Sequence, residues 1–171
     1  MVISPISIHA ADIDGDGDKD VISASYGDDR IAWYRNDGNG FFNNQQIIAV
    51  NADGAKSVYS SDLDNDGDID VLTVYGDRVA WYRNNGTGTF SGQQIITISA
   101  LSAKAVFAGD LDGDGDMDVL SASSDDNKIA WYKNDGTGYF NQQQFIISTS
   151  AVNALSVYAD DLDGDGDMDV L

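Results

Sequence analysis

Residues 110–120 read DLDGDGDMDVL, a run with five aspartates in nine residues that passes directly into apolar residues. Carboxylates this close together repel one another, by about 1 kcal/mol per pair in water and by more at a lower effective dielectric constant. Nearly the same phrase occurs four times, beginning at Asp12, Asp62, Asp110 and Asp161. A repulsive pattern that recurs in this way predicts a specific partner of opposite charge for each loop.

A second phrase recurs in step with the first. It reads DDRIAWYRNDGNGFF, DRVAWYRNNGTGTF and DNKIAWYKNDGTGYF, with Trp33, Trp81 and Trp131 at equivalent positions. A period of about 50 residues with several strands per unit is typical of propeller blades. The sequence therefore predicts one repeat segment over residues 1–171, divided approximately into repeats 7–56, 57–104 and 105–155 and a truncated repeat 156–171.

Four strands can be predicted within one unit. SVYSSDL (57–63) leads into the acidic loop, and DVLTV (70–74) leaves it as an apolar run suited to a buried strand. RVAWYRN (78–84) is rich in β-branched and aromatic residues, NNGTG (84–88) predicts a hairpin turn, and TFSGQQIITIS (89–99) predicts a partly solvated outer strand. The fold class is therefore all-β, with about three and a half blades of four antiparallel strands in a partial propeller or fragment.

Composition excludes several classes of function. The formal charge is −20, all 29 acidic residues are aspartate, and cysteine is absent. Such an acidic surface disfavours nucleic acid as a partner, and no apolar run is long enough for membrane insertion. Without cysteine or glutamate and with a single histidine, catalytic constellations are largely unavailable, so we expect no enzyme activity. That histidine, His9, aligns with Tyr59, Phe107 and Tyr158, which predicts a ring facing the core.

Each acidic loop fits the pattern D-x-D-x-D-G-x-x-D. Alternate carboxylates stand at positions 1, 3 and 5, glycine at position 6 permits a sharp turn, and position 9 returns one more carboxylate. Hard oxygen ligands at this spacing suit Ca²⁺, whereas Mg²⁺ demands a tighter octahedron. In the third loop the pattern predicts side-chain ligands Asp110, Asp112, Asp114 and Asp118, with the backbone carbonyl of Asp116 and water completing the shell.

A competing frame begins two residues later, but it places Lys19, Ile69 or Met117 where the turn needs glycine. The first frame places glycine there in every copy, at Gly17, Gly67, Gly115 and Gly166. A solvated acidic turn that binds no metal is the remaining simple alternative. It leaves the four-fold spacing and the repulsion within each loop without an explanation.

An EF-hand is the other obvious calcium loop, and it does not fit. Its bidentate glutamate at position 12 is replaced by Ser23, Thr73 and Ser121 in the three copies that extend this far. The residues that follow each loop are also typical of a strand and not of a helix.

The phrases DLDGDGDMDVL and KIAWYKNDGTGYF, with their spacing, resemble the FG-GAP/VCBS repeat family over nearly the whole chain. The resemblance implies calcium-binding β-propeller blades like those of integrin α-subunits, with the calcium loop joining the first two strands of a blade. Asn65 replaces the usual glycine of the second loop without removing a ligand. The resemblance implies up to four Ca²⁺ ions and metal ligands at Asp12, Asp14, Asp16, Asp18, Asp20, Asp62, Asp64, Asp66, Asp68, Asp70, Asp110, Asp112, Asp114, Asp116, Asp118, Asp161, Asp163, Asp165, Asp167 and Asp169.

The expected function is a noncatalytic calcium-binding repeat module of a secreted or cell-surface protein, serving adhesion or ligand recognition. Sites with Kd near 10⁻⁴–10⁻³ M, as in other extracellular modules, stay empty at cytosolic calcium, which favours an extracellular location. No signal peptide is visible in this chain. The alternatives are a lectin-like carbohydrate-binding propeller and an accessory propeller of a polysaccharide-active enzyme.

The partners follow from the same pattern. Closed propellers need four to eight blades, so the remaining blades come from a longer chain or from self-association, and truncation fits better. We expect the fourth loop to be the weakest or most mobile site. The ligand is an unknown protein or glycan.

The Trp-Tyr pairs predict aromatic rings packed between blades, with a sugar-stacking surface as the alternative. The basic residue that follows each pair is expected to be a partner of a neighbouring aspartate.

Overall fold

The computed structural model describes residues 3–141 and 143–171, so residues 1, 2 and 142 of the predicted segment lie outside it. The described residues form fourteen β-strands and contain no helix, hence none that could cross a membrane. The first blade has strands β1 (Pro5–Ala11), β2 (Asp20–Ser25), β3 (Arg30–Tyr34) and β4 (Gln46–Ala49). The second has β5 (Ser57–Ser61), β6 (Asp70–Tyr75), β7 (Arg78–Tyr82) and β8 (Gln94–Thr97). The third has β9 (Ala103–Gly109), β10 (Asp118–Ser123), β11 (Lys128–Tyr132) and β12 (Phe145–Ser148), followed by the short pair β13 (Ala159–Asp160) and β14 (Asp169–Val170).

Each complete blade is a four-stranded antiparallel sheet in which the strands lie in chain order. In the second blade, for example, Leu72 pairs with Tyr59 on one side and with Trp81 on the other. The predicted all-β fold of propeller blades is confirmed. The three sheets and the additional strand pair do not close into a ring, which fits a partial propeller.

The first strand of each blade lies against the first strand of the next, since β1 contacts β5 and β5 contacts β9. Each acidic loop connects the first strand to the second, as the resemblance implied. Because every loop follows the equivalent strand, the loops lie at the same end of the blades. The second strands are the most buried, and every residue of β6 and β10 is buried.

The hydrophobic core consists of layers between neighbouring blades. One cluster joins the first two blades through Trp33, Val58 and Val71, and a second joins the next two through Trp81 and Tyr132. A third lies between the third blade and the final strand pair. Because each layer takes side chains from two repeats, a blade buries its apolar faces only against its neighbours.

A close contact between tryptophan and glycine fixes the distance between blades. A Cβ placed on Gly88 would overlap the ring of Trp33 in the preceding blade, and one on Gly138 would overlap Trp81 in the same way. Phe90 packs edge-on against Trp33, with ring centroids 6.5 Å apart. The tryptophans of the first two blades therefore pack between blades, as the repeated Trp-Tyr pairs predicted.

The outer strand is shorter than expected. The sequence predicts a fourth strand over residues 89–99, whereas β8 covers only Gln94–Thr97. The preceding residues belong to a wide turn, in which Phe90 makes an isolated bridge to Asn84. Ile95 is partly exposed while Ile96 is fully buried, which agrees with a partly solvated outer position.

Replacing Gly88 with alanine should destabilise the protein by about 3 kcal/mol, because the new methyl group overlaps Trp33 and the backbone has a φ of +74°. The matched control is Gly40→Ala, since Gly40 has the same place in the first blade and a φ of +86° but has no atom near its Cβ position. That variant should lose only about 1 kcal/mol. Urea unfolding measures both values, and equal losses would show that the Trp33 contact does not restrict the position.

Candidate metal centre

The first aspartate of each loop is held by backbone N–H groups. Asp12 accepts hydrogen bonds from the N–H groups of Gly15 (2.9 Å), Asp16 (3.2 Å) and Gly17 (2.9 Å). Asp110 accepts the same three bonds in the third loop, and Asp62 and Asp161 each accept two of them. The loop backbone therefore curls around the position-1 carboxylate.

Left-handed backbone makes this curl possible. Position 6 has a φ between 91° and 96° in all four loops, at Gly17, Gly67, Gly115 and Gly166. At position 4 Asn65 adopts a φ of 56° in place of glycine, a conformation that asparagine tolerates. The predicted frame of the loop thus agrees with its backbone conformation.

In the first three loops the position-9 carboxylate is fully buried. Asp70 is fully buried, and it accepts hydrogen bonds from the N–H groups of Leu63 (3.0 Å) and Asn84 (2.8 Å). Asp20 and Asp118 make the equivalent bonds and are also fully buried. Burial raises the pKa of Asp70 to about 7 and that of Asp118 to about 6.

At position 3 of the first two loops, only one of the two carboxylate oxygens has a partner. Asp64 Oδ2 lies 2.8 Å from Arg83 Nε, and the Asp64 side chain is only 4% exposed. Its other oxygen, Oδ1, is buried and has no hydrogen-bond partner among the described residues, and the same holds for Asp14 Oδ1 in the first loop. Burial raises the pKa of both carboxyls. A buried oxygen without a partner is costly, so these atoms indicate a missing ligand.

The position-5 carboxylate pairs with the basic residue that follows each Trp-Tyr pair. Asp66 Oδ2 lies 2.7 Å from Arg83 Nη2, and Asp16 and Asp114 pair with Arg35 and Lys133 at 2.9 Å. These side-chain hydrogen bonds lower the pKa of each position-5 carboxyl. The cations are therefore partners of loop aspartates, as the sequence predicted.

The position-7 side chains point toward the turn after the third strand. The carboxylates of Asp18, Asp68 and Asp116 lie so close to the turn glycines that a Cβ on Gly38, Gly86 or Gly136 would overlap them. Asp116 Oδ1 also accepts a hydrogen bond of 2.7 Å from Asn65 Nδ2 of the preceding loop. In this arrangement the position-7 side chains serve the packing of turns and loops.

Three carboxylates meet in each loop closely enough to hold a metal ion. Their oxygen atoms lie within 4.8 Å of one another, which suits a shared ion with Ca²⁺–oxygen distances of 2.3–2.6 Å. Loops one, three and four bring together positions 1, 3 and 9, and loop two brings together positions 1, 3 and 5. The groups are Asp12, Asp14 and Asp20; Asp62, Asp64 and Asp66; Asp110, Asp112 and Asp118; and Asp161, Asp163 and Asp169. The other predicted ligands lie outside these groups, and the fourth group is fully exposed.

His9 lies outside the metal groups. Its ring stacks on Tyr59 at a centroid distance of 4.4 Å, in a row of rings that continues through Phe107 to Tyr158. Burial lowers its pKa, and its Nδ1 atom lies 2.6 Å from Ser60 Oγ of the next blade. The aligned aromatic positions predict the row of rings. They do not predict the bond to Ser60, where the other repeats have alanine.

Asparagine after the third strand is a structural residue that sequence reasoning missed. Asn84 Nδ2 donates to the Ile13 carbonyl of the preceding loop at 2.7 Å, and Asn134 Nδ2 donates to the Leu63 carbonyl at the same distance. The signal was the presence of asparagine at one place in all three WYRN and WYKN phrases, at Asn36, Asn84 and Asn134.

The family model described as the FG-GAP-like repeat matches residues 12–73, 62–121 and 110–171. The chain belongs to the FG-GAP-like repeat family. Each match runs from one acidic loop through the next, so the sheets and loops described above are FG-GAP-like repeats. Repeats of this family generally bind calcium, and the carboxylate group in each loop agrees with a metal-binding role. No curated protein sequence matches the chain significantly.

Two solved structures with TM-scores above 0.6 share the fold, and a third is less similar. An Agrocybe aegerita lectin that specifically recognises non-reducing terminal N-acetylglucosamine is 24% identical, with a TM-score of 0.62 over 85% of this chain and 38% of the lectin. BBS1N, solved in complex with ARL6DN, is 9% identical, with a TM-score of 0.63 over 94% of this chain and 48% of its own. The V. cholerae biofilm matrix protein Bap1 is 19% identical, with a TM-score of 0.49 over 100% of this chain and 28% of its own. The chain thus spans less than half the length of each of these structures.

Without metal, the stability of the protein should fall as the pH rises from 5 to 7.5. The folded state raises the pKa of Asp70 from 3.8 to about 7, so it binds this proton more tightly than the unfolded chain does. The stabilisation is complete below pH 3.8, at about 4 kcal/mol for this group, and it is lost as the pH rises through 7, with about 2.5 kcal/mol of the loss between pH 5 and 7.5. Melting temperatures measured in EDTA across this range test the trend.

The matched variant is Asp70→Asn, which cannot titrate and should flatten the decline relative to the unmodified protein. The lowered pKa of His9 acts in the opposite direction, and it is common to both proteins. Parallel pH profiles for the two proteins would contradict the assignment to Asp70.

Proposed function

We propose that the chain is a noncatalytic calcium-binding β-propeller module of a secreted or cell-surface protein that serves adhesion or ligand recognition. The observation that carries the metal assignment is the position-3 carboxylate. The Asp64 side chain is only 4% exposed and lies beside two other carboxylates. One of its oxygens pairs with Arg83, and the other has no partner in the described part of the chain. A bound cation supplies that partner and offsets the repulsion within the loop.

Calcium suits the loops better than magnesium does. The ligands are all oxygen atoms, and a flexible loop of alternating aspartates and glycines can adapt to the six to eight ligands that Ca²⁺ takes. Mg²⁺ requires a near-ideal octahedron and retains its waters. We assign the ion to the position-1, position-3 and position-9 carboxylates, with position 5 joining when the ion draws the loop together.

An extracellular location follows from the expected strength of these sites. Loops of this kind in extracellular modules bind calcium with Kd near 10⁻⁴–10⁻³ M, so they fill at millimolar calcium and stay empty in the cytosol. The strong net charge of −20 favours a protein or glycan ligand over nucleic acid. The partners we propose are therefore an extracellular protein or glycan, with further blades supplied by a longer chain or by self-association.

Calcium should raise the melting temperature by about 10 °C. Four sites at roughly ten times Kd contribute about 1 kcal/mol each, and a protein of this size gains about 2–4 °C per kcal/mol. Asp112→Ala should remove the contribution of the third loop and reduce the rise by about 3 °C. Differential scanning calorimetry in EDTA and in 5 mM CaCl₂ measures both effects.

Asp37→Asn is the matched control, because Asn85 occupies the equivalent position in the second blade. It removes one carboxylate without touching a loop, so the calcium response should stay unchanged. A melting temperature of the unmodified protein that does not respond to calcium would refute the metal assignment.

A lectin-type carbohydrate binder is the second candidate, and a cleft between the first two blades favours it. The cleft has a volume of about 260 Å³ and is lined by Trp33, Gln46, Gly88, Thr89 and Phe90. Trp33 is buried, whereas Gln46 and Thr89 are exposed polar residues that a ligand in the cleft can reach. A cleft with an aromatic ring in its wall and polar groups at its mouth suits a sugar.

A glycan array probed with the calcium-loaded protein separates the two candidates. Reproducible binding that is lost in Gln46→Ala, but kept in Gln94→Ala of the next blade, would support the cleft as a sugar site. An array without signal would leave adhesion through protein contacts as the function.

A further inference from the structure

We propose that Arg35, Arg83 and Lys133 are resident counterions of the first three loops, which hold the loops in shape when calcium is withdrawn. The inference rests on the proposed calcium binding. Each residue directly follows the Trp-Tyr pair at the end of the third strand of its blade. That strand is rigidly packed, so it delivers a positive charge to the same point of each loop.

The two arginines make the same pair of contacts. Arg83 Nε lies 2.8 Å from Asp64 Oδ2, and Arg83 Nη2 lies 2.7 Å from Asp66 Oδ2. Arg35 makes the equivalent contacts with Asp14 at 2.5 Å and with Asp16 at 2.9 Å. One guanidinium therefore bridges the carboxylates of positions 3 and 5, which would otherwise repel each other.

Lysine does the same in the third loop with a different geometry. Lys133 Nζ contacts Asp112 Oδ2 and lies 2.9 Å from Asp114 Oδ2, so a single ammonium group spans the two carboxylates. A guanidinium and an ammonium share little except their positive charge. The common feature of the three loops is thus the charge at this point.

The position of the cation distinguishes it from an ordinary surface ion pair. The carboxylates at positions 1 and 9 accept backbone N–H groups, so the fold itself compensates part of their charge. The position-3 carboxylates of the first two loops are nearly buried, and each forms its ion pair with the arginine. Repulsion at a buried carboxylate is poorly screened by solvent, so the arginine compensates charge where the backbone does not.

Two consequences follow for the bound ion. The cation keeps positions 3 and 5 near each other without metal, so the blade survives low calcium. It also places a positive charge beside the ion, which weakens binding by direct repulsion.

The variant Arg83→Gln tests the proposal by its melting temperature in EDTA and in 5 mM CaCl₂. In EDTA it should melt about 2–4 °C below the unmodified protein, and the deficit should shrink in 0.5 M NaCl because salt screens the released repulsion. In calcium the two proteins should melt within about 1 °C of each other, because the ion replaces the lost charge. Arg83→Lys should behave like the unmodified protein, as Lys133 does in the third loop.

Arg78→Gln is the matched control. Arg78 lies on the same strand, is exposed, and sits 5.8 Å from the centre of the Tyr75 ring, away from the acidic loop. Its loss removes the same charge from the chain and should produce no calcium-dependent difference.

Three results would overturn the proposal. The first is a melting temperature of Arg83→Gln that is lowered equally in EDTA and in calcium. The second is a melting temperature in EDTA that is not lowered at all. The third is a lowering in EDTA that Arg78→Gln also shows. The failure of calcium binding itself is distinct, since it would appear as an unmodified protein with the same melting temperature in both solutions.

Discussion

The repulsion between carboxylates in each acidic loop is the constraint on which the rest of the blade depends. Five aspartates in nine residues cannot adopt a compact loop unless each charge has a partner. The structure supplies different partners at different positions. Asp62 at position 1 accepts hydrogen bonds from N–H groups of the loop. Asp66 at position 5 pairs with Arg83. Asp70 at position 9 accepts hydrogen bonds from the N–H groups of Leu63 and Asn84. At position 3, Asp64 Oδ1 is buried and has no partner among the described residues.

These same contacts join one blade to the next. The N–H group of Asn84 binds the position-9 carboxylate of its own blade, while its side-chain amide donates to the Ile13 carbonyl of the preceding loop. Two residues further along the turn, Asp68 packs on Gly86, and Gly88 then packs on Trp33. A loop, a turn and the neighbouring core are therefore linked through one short segment.

The sequence predicted the repeated features and the packing of the tryptophans between blades, and it missed the hydrogen bonds between repeats. Runs of apolar, β-branched and aromatic residues predicted the strands, and glycine at position 6 predicted the turn, because both depend on neighbouring residues. The hydrogen bond from Asn84 to Ile13 joins residues 71 positions apart, so no local pattern contains it. The bond between His9 and Ser60 is similar, since both residues depart from the repeat and meet only across blades. The short outer strand also escaped prediction, because Phe90 uses its backbone for a bridge within the turn.

A loop with this many negative charges can be part of a stable fold because several kinds of positive charge can compensate them. A proton, a basic side chain and a divalent ion can each offset the same excess of negative charge, and in the second loop the first two act at different positions. The buried Asp70 at position 9 has a raised pKa because burial favours its protonated form, while Asp66 at position 5 has a lowered pKa because Arg83 favours its charged form. Calcium binding requires deprotonated ligands, so the proposed ion and the proton on Asp70 compete for this loop. The pH and the calcium concentration of the medium then decide which of the two neutralises the loop beside Arg83.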